Sequence, residues 1–395
     1  MAKLDDISKI EIANEIHSPA PVQNINKNTA TQWNISCEHI RYGRCILVLV
    51  CIILITIIIT VPTVLVHKKK MKTNNIIATT TITATISTTT TTTKAPLHNI
   101  ITDKTTWIQN GITIFHQSYI DESDFEFSSM DIDDDNEIIY IVEHRNDRII
   151  GLQLNRTNCP IVIDGNGTHQ LSGPVDVIAD KKTDSIIICQ LLIGIARWSR
   201  QNATSVPIIF PNIHCNSLAI DDKGYLYVSD WKEKEVRRWE IGVSNKSTIV
   251  ARGNKAGNHS EQFMSLILLF VDIDYSVYGV DKHNHRVMKW MKNATTGIIV
   301  AGGNGAGANL TQLSEPGGVI VDHLGNVYVA DTLNHRIMRW INGDKEGTVV
   351  VGGNGRGNQA NQLFYPSDLL FDKHGNLYVF DSYNHRLQKF EIESN

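Results

Sequence analysis

VYVADTLNHRIMRW, residues 327–340, is the stretch from which the fold can be read. Val327-Tyr328-Val329-Ala330 is a β-branched and aromatic run, and the residues from Asp331 to Asn334 favour a turn. Arg336-Ile337-Met338-Arg339-Trp340 then alternates polar with apolar, as a half-buried strand does. Upstream, Gly318-Val319-Ile320-Val321-Asp322 forms a short apolar run closed by His323-Leu324-Gly325-Asn326. Downstream, Asn342-Gly343-Asp344 turns again before Gly347-Thr348-Val349-Val350-Val351. The unit is therefore four strands joined by tight turns.

The same pattern recurs. VYGVDKHNHRVMKW (277–290) and LYVFDSYNHRLQKF (377–390) nearly superimpose on it, with Asp281, Asp331 and Asp381 spaced by 50 residues. Looser copies place Asp230, Cys189 and Glu143 at the aspartate position, and an apolar residue stands nine positions on in every copy: Leu152, Trp198, Trp239, Trp290, Trp340 and Phe390. Six four-stranded units in series, too often interrupted by Gly, Asn and Asp for a helical solenoid, predict an all-β, six-bladed β-propeller. The sixth copy ends after its third strand, so Asn110-Gly111-Ile112-Thr113-Ile114-Phe115 is expected to supply the fourth and close the ring. The predicted propeller covers residues 105–395.

These residues carry a resemblance. Asp331, Asn334, His335 and Arg336, preceded by Pro316-Gly317-Gly318-Val319 and Gly325-Asn326-Val327-Tyr328-Val329-Ala330, resemble an NHL repeat, with Arg where the family signature has Leu. Asp281, Asn284, His285 and Arg286, and Asp381, Asn384, His385 and Arg386, repeat the motif. Copies one to three follow it only in outline: Glu233-Lys234-Glu235 stands where Asn-His would fall in copy three, and copy two lacks the motif. The resemblance implies a six-bladed propeller. Uses in that family include protein and RNA binding, ligand sensing and peptide-amidating lyase chemistry, and a shared fold does not choose among them.

Ahead of the propeller the chain changes character. Residues 45–66, CILVLVCIILITIIITVPTVLV, carry no charged side chain and are long enough to cross a bilayer as a helix. Residues 1–44 are read as an unstructured cytosolic tail, and residues 67–104 as a basic flank and Thr-rich stalk. The orientation signals conflict. Lys68, Lys69, Lys70 and Lys72 follow the span, which by the positive-inside rule would hold the C-terminal side in the cytosol. The stalk composition and seven N-glycosylation acceptors, Asn155, Asn166, Asn202, Asn245, Asn258, Asn293 and Asn309, point outward. The expectation is a single-pass protein, at the plasma membrane, with an external C-terminus.

Chemistry is sparse. His285, His335 and His385 recur one blade apart, too far around a ring to share a metal, and are read with their Asp and Arg neighbours as a structural network. Asp272, Asp322 and Asp372 are read as turn formers at the end of the innermost strand. The acidic stretch Asp131-Ile132-Asp133-Asp134-Asp135-Asn136-Glu137 is read as a solvated turn, since it lacks the glycine and terminal glutamate of a calcium loop. Two glycine-rich runs, 302–307 and 352–357, lack a following Lys-Ser/Thr and are read as links between blades. Residues 100–395 hold 27 Lys and Arg against 36 Asp and Glu, which argues against nucleic acid as a partner. No catalytic residue and no cofactor is assigned. The leading reading is a receptor, adhesion or scaffold module for a protein or glycan; the competing one is a lyase or hydrolase with an axial Ca or Zn.

Overall fold

The computed structural model describes residues 101–116, 129–154, 161–164, 171–200, 206–242, 246–252 and 266–393. The expected span at 45–66, its flanking segments, Cys159 and five of the acceptor asparagines (Asn155, Asn166, Asn202, Asn245 and Asn258) lie outside these residues. Among the described residues no helix is long and apolar enough to cross a membrane.

The described chain forms six four-stranded antiparallel sheets, each a blade. Blade 5 is built from Val319–Val321, Val327–Asp331, Arg336–Trp340 and Thr348–Gly352, in order from inside to outside. The inner strands of blades 1 to 4 and 6 are Met130–Asp133, Pro174–Asp180, Cys215–Ile220, Leu266–Val271 and Pro366–Phe371. Each abuts the inner strand of the next blade, and that of blade 6 meets that of blade 1, so the ring is closed.

Closure uses the strand anticipated from the sequence. Ile112–His116 pairs antiparallel with Arg386–Phe390, Ile112 opposite Lys389 and His116 opposite Arg386. Trp107 fastens the segment before it. Its ring is 2% exposed, stacks on Phe371 at 5.7 Å and donates Nε1–H to the Gly375 carbonyl at 2.9 Å.

The core is not one mass but six layers, one per seam. Tyr328, Ile337 and Val351 of blade 5 pack against Leu369, Val379 and Phe390 of blade 6, and equivalent clusters fill the other five seams. Period-two alternation sends successive side chains to opposite faces of a sheet, so each blade feeds the seam on either side of it. Trp290, Trp340 and Phe390 are at most 2% exposed. At one seam the backbone itself makes the contact: a Cβ on Gly317 would strike the Ser367 carbonyl, and one on Gly318 would lie 2.5 Å from Asp368 Oδ1.

Candidate functional site

The repeat motif sits in the turn between the second and third strands of a blade. In blade 5, Asp331 is fully buried; its Oδ2 accepts from Asn334 Nδ2 at 2.8 Å and Arg336 Nε at 2.7 Å, and its Oδ1 accepts from the Ser314 N–H at 2.7 Å. Blade 6 repeats this with Asp381, Asn384, Arg386 and the Phe364 N–H. In blade 4, Asp281 accepts from Asn284 at 2.8 Å and from Arg286 at 3.0 Å. Burial pushes the Asp331 and Asp381 carboxyls up, against the pull of these donors.

The remaining donors reach the inter-blade links. Asn334 Nδ2 also donates to the Gly307 carbonyl, and the Arg386 guanidinium donates to the carbonyls of Asn358, Gln359 and Gln362. His285, His335 and His385 take the left-handed conformation, with φ of 52°, 55° and 49°. This conformation is uncommon for non-glycine residues, with His among those enriched in it. His335 Nδ1 accepts from the Tyr365 N–H and His285 Nδ1 from the Glu315 N–H, both in the link to the next blade. Burial, then the charge of Arg356, holds His335 below the usual histidine range, so its Nδ1 stays an acceptor at neutral pH. In blade 5 the quartet thus joins the turn to the link before it and the link after it.

Where the motif fades, other groups occupy the same place. In blade 1, Glu143 pairs with Arg148, and Asp147 takes the histidine position and accepts from the Gly173 N–H at 2.5 Å. In blade 2, Cys189 stands where the motif aspartate would be and forms a buried disulfide with Cys215 of blade 3, across 26 residues of sequence. A covalent bond there reaches the start of the next blade, the side that the motif histidine reaches in blades 4 and 5.

Asp272, Asp322 and Asp372 close the turns after the inner strands. Asp322 Oδ1 accepts from the Leu324 and Asn326 N–H groups and Oδ2 from the Tyr328 hydroxyl; Asp372 does the same with His374, Asn376 and Tyr378. The acidic stretch at 131–137 departs from the solvated turn read from the sequence. Asp133 is fully buried against Arg200, and Asp131 points from the inner strand toward Ala179, whose N–H it accepts at 2.7 Å. The residues from Asp134 to Glu137 make the turn. The strand begins at Met130, so period-two alternation turns two of these acids inward.

The inner strands enclose an axial cavity of about 630 Å³. Four residues before each turn aspartate stand Ser129, Asp176, Ser217, Leu268, Gly318 and Asp368. Where this residue is polar, it stitches neighbouring blades. Asp368 accepts the Met130 N–H at 2.9 Å, Ser129 Oγ lies 2.6 Å from Asp176 Oδ1, Asp176 accepts the Leu218 N–H at 2.6 Å, and Ser217 Oγ accepts the Leu269 N–H at 3.0 Å. Leu268 and Gly318 interrupt the belt. Burial pushes Asp368 up to about 8, Asp131 up to about 7, and Asp176 up as well. Ser129 Oγ also lies 3.3 Å from Asp368 Oδ2, so one hydroxyl proton faces two carboxyls, and a proton on Asp368 relieves their repulsion. Among the described residues no three His, Cys, Asp or Glu side chains are grouped to hold a metal ion.

Sequence reasoning missed this belt. The signal lay in the aligned column Ser, Asp, Ser, Leu, Gly, Asp, polar or small in five of the six copies beside largely apolar strands. The two described acceptor asparagines, Asn293 and Asn309, are exposed.

The family model described as NHL repeat matches residues 365–390. No curated protein matches the sequence. Many solved structures share the fold. An auxiliary nutrient binding protein from Bacteroides ovatus aligns with a TM-score of 0.57 at 13% identity, over 74% of this chain and 78% of that one. One from Bacteroides thetaiotaomicron aligns at 0.55 and 17% identity, over 67% and 68%. A putative phosphatase from Bacteroides thetaiotaomicron aligns at 0.54 and 14%, over 68% and 71%. At such identities the likeness is one of fold. The chain therefore closes into a six-bladed β-propeller that carries an NHL repeat in its sixth blade.

Proposed function

We propose that this chain is a single-pass membrane protein that displays its propeller outside the cell as a binding module, receptor- or adhesion-like, for a protein or glycan ligand. One observation carries the binding role: the polar side chains that recur from blade to blade are committed to holding blades and links together. What varies between the two described links, 303–316 and 353–366, is the side chains they carry, Ser314 and Glu315 in one against Phe364 and Tyr365 in the other, and a rigid frame with variable loops is a binding architecture. Two of the solved structures with this fold are described as nutrient binding proteins, a binding use of the same frame.

The outward orientation draws support from the exposure of Asn293 and Asn309 and from the Cys189–Cys215 disulfide, a bond that persists in oxidising compartments. A C-terminal epitope tag on cells expressing the full chain tests it. Antibody staining of intact cells is expected. Staining only after permeabilisation would contradict the external display and favour an intracellular scaffold.

A second reading, a lyase or hydrolase working in the axial cavity, has one observation in its favour: Asp131 and Asp368 are held near 7 and 8, the range of general acids and bases at neutral pH. Both already accept backbone N–H bonds, which suits a structural role. Hydrolytic turnover lost on Asp131→Asn substitution, with the fold retained, would favour the enzyme.

A further inference from the structure

Blades 5 and 6 are near-copies, so each serves as a control for the other. The link from blade 4 to blade 5 and the link from blade 5 to blade 6 follow the same backbone path. Gly303 and Gly353 N–H each donate to the carbonyl of the preceding motif histidine, and Gly307 and Gly357 N–H to the carbonyls of Leu313 and Leu363. The N–H of Leu333 reaches the Ser314 carbonyl just as that of Tyr383 reaches Phe364. The side chains differ sharply. Ala306, Ala308, Ser314, Glu315 and Leu333 at the first seam are replaced by Arg356, Asn358, Phe364, Tyr365 and Tyr383 at the second. Since one backbone is built with either set, the fold does not require the aromatic one.

Those aromatics form a surface cluster. Phe364 and Tyr365 stack with ring centroids 4.9 Å apart, and Tyr383 packs against them at 5.1 and 4.5 Å. The Arg356 guanidinium lies 5.8 Å from the Phe364 ring. Tyr383 is 39% exposed, and the other two rings are half-buried. Phe364 and Tyr383 form one wall of a cavity of about 660 Å³ whose other walls include Thr113, His116, Asn358 and His385. Arg386 also lines it, but its guanidinium is engaged by Asp381 and three backbone carbonyls.

We propose that this seam is a carbohydrate-binding site that takes a neutral pyranose at the end of a glycan. It rests on the reading of the propeller as a binding module and names the ligand class. An aromatic face carries partial negative charge and attracts the slightly positive C–H face of a sugar ring. The amide, hydroxyl and imidazole groups opposite suit sugar hydroxyls. A protein hot spot would call for a dry apolar pocket instead, and these walls are polar.

The test is saturation-transfer NMR on the full chain in nanodiscs, with a panel of neutral hexose oligosaccharides as probes. Transfer to sugar ring protons is expected for at least one of them. A triple swap to the sister seam, Phe364→Ser, Tyr365→Glu and Tyr383→Leu, should lower that affinity at least about tenfold, the equivalent of one good aromatic contact. Leu333→Ala at the sister seam should leave it unchanged. If the triple variant loses its folded circular-dichroism spectrum, the single exposed change Tyr383→Leu gives the same readout. The inference is overturned by no transfer from any probe to the unsubstituted chain, or by binding that survives the swap in a folded variant. A chain displayed outside the cell that binds no sugar overturns this inference alone, leaving the binding-module proposal standing.

Discussion

Substituting Asp331 with alanine should cost about 3–5 kcal/mol of stability. The carboxylate is fully buried and pairs with Arg336, itself 7% exposed, at 2.7 Å. Removing one partner of a buried pair leaves the other charge uncompensated, and that is what carries a penalty of about 3–5 kcal/mol. Loss of the bonds from Asn334 Nδ2 and the Ser314 N–H works in the same direction. Replacing the pair together, Asp331→Leu with Arg336→Met, should recover much of the loss, because no buried charge remains. Urea unfolding followed by tryptophan fluorescence reads both variants, with Trp340 at the end of the Arg336 strand as a local reporter. A loss below about 1 kcal/mol for the single variant, the value of a surface pair, would refute the structural role given to the motif.

Other expectations follow from named contacts. Trp107→Ala should cost about 3–5 kcal/mol, since it removes a buried aromatic from the closing segment; a loss within 1 kcal/mol by urea unfolding would argue against closure by that route. Cys189→Ser with Cys215→Ser should cost roughly 3.5 kcal/mol from loop entropy across 26 residues, and reductant should lower the melting temperature of the unsubstituted chain but not of the variant. Stability should fall as pH rises from 6.5 to 8.5. Asp368 and Asp131 keep protons in the fold, near 8 and 7, that the unfolded chain gives up near 3.8, so their contribution is present at low pH and lost as pH climbs through the folded values. Asp368→Asn should flatten that slope in calorimetric melting. A melting temperature that rises over this window would contradict the protonated axial belt.

Much of the frame could be read from the chain, because it depends on local patterns that repeat. The 50-residue spacing of Asp281, Asp331 and Asp381 set the blades, and the missing fourth strand of the last copy implied the crossing of Ile112–His116. The axial belt could not be read that way. Ser129 meets Asp176 and Asp368 at sequence separations of 47 and 239, through a column that tolerates leucine and glycine. Asp131 and Asp133 looked solvated because acids usually are; their inward direction follows from strand register, which composition does not carry. The Cys189–Cys215 pair depends on seam adjacency, and so does the cluster formed by Tyr383 with Phe364 and Tyr365.

Enzymatic removal of N-glycans from the full-length chain expressed in animal cells, read as a gel shift, tests the central claim of external display most directly. Acceptors follow the proposed span at seven positions, from Asn155 to Asn309, so a large gain in mobility after digestion is the result the account predicts. An unchanged band, with the protein recovered in the membrane fraction, would place the propeller in the cytosol beside the Lys68–Lys72 cluster and contradict it.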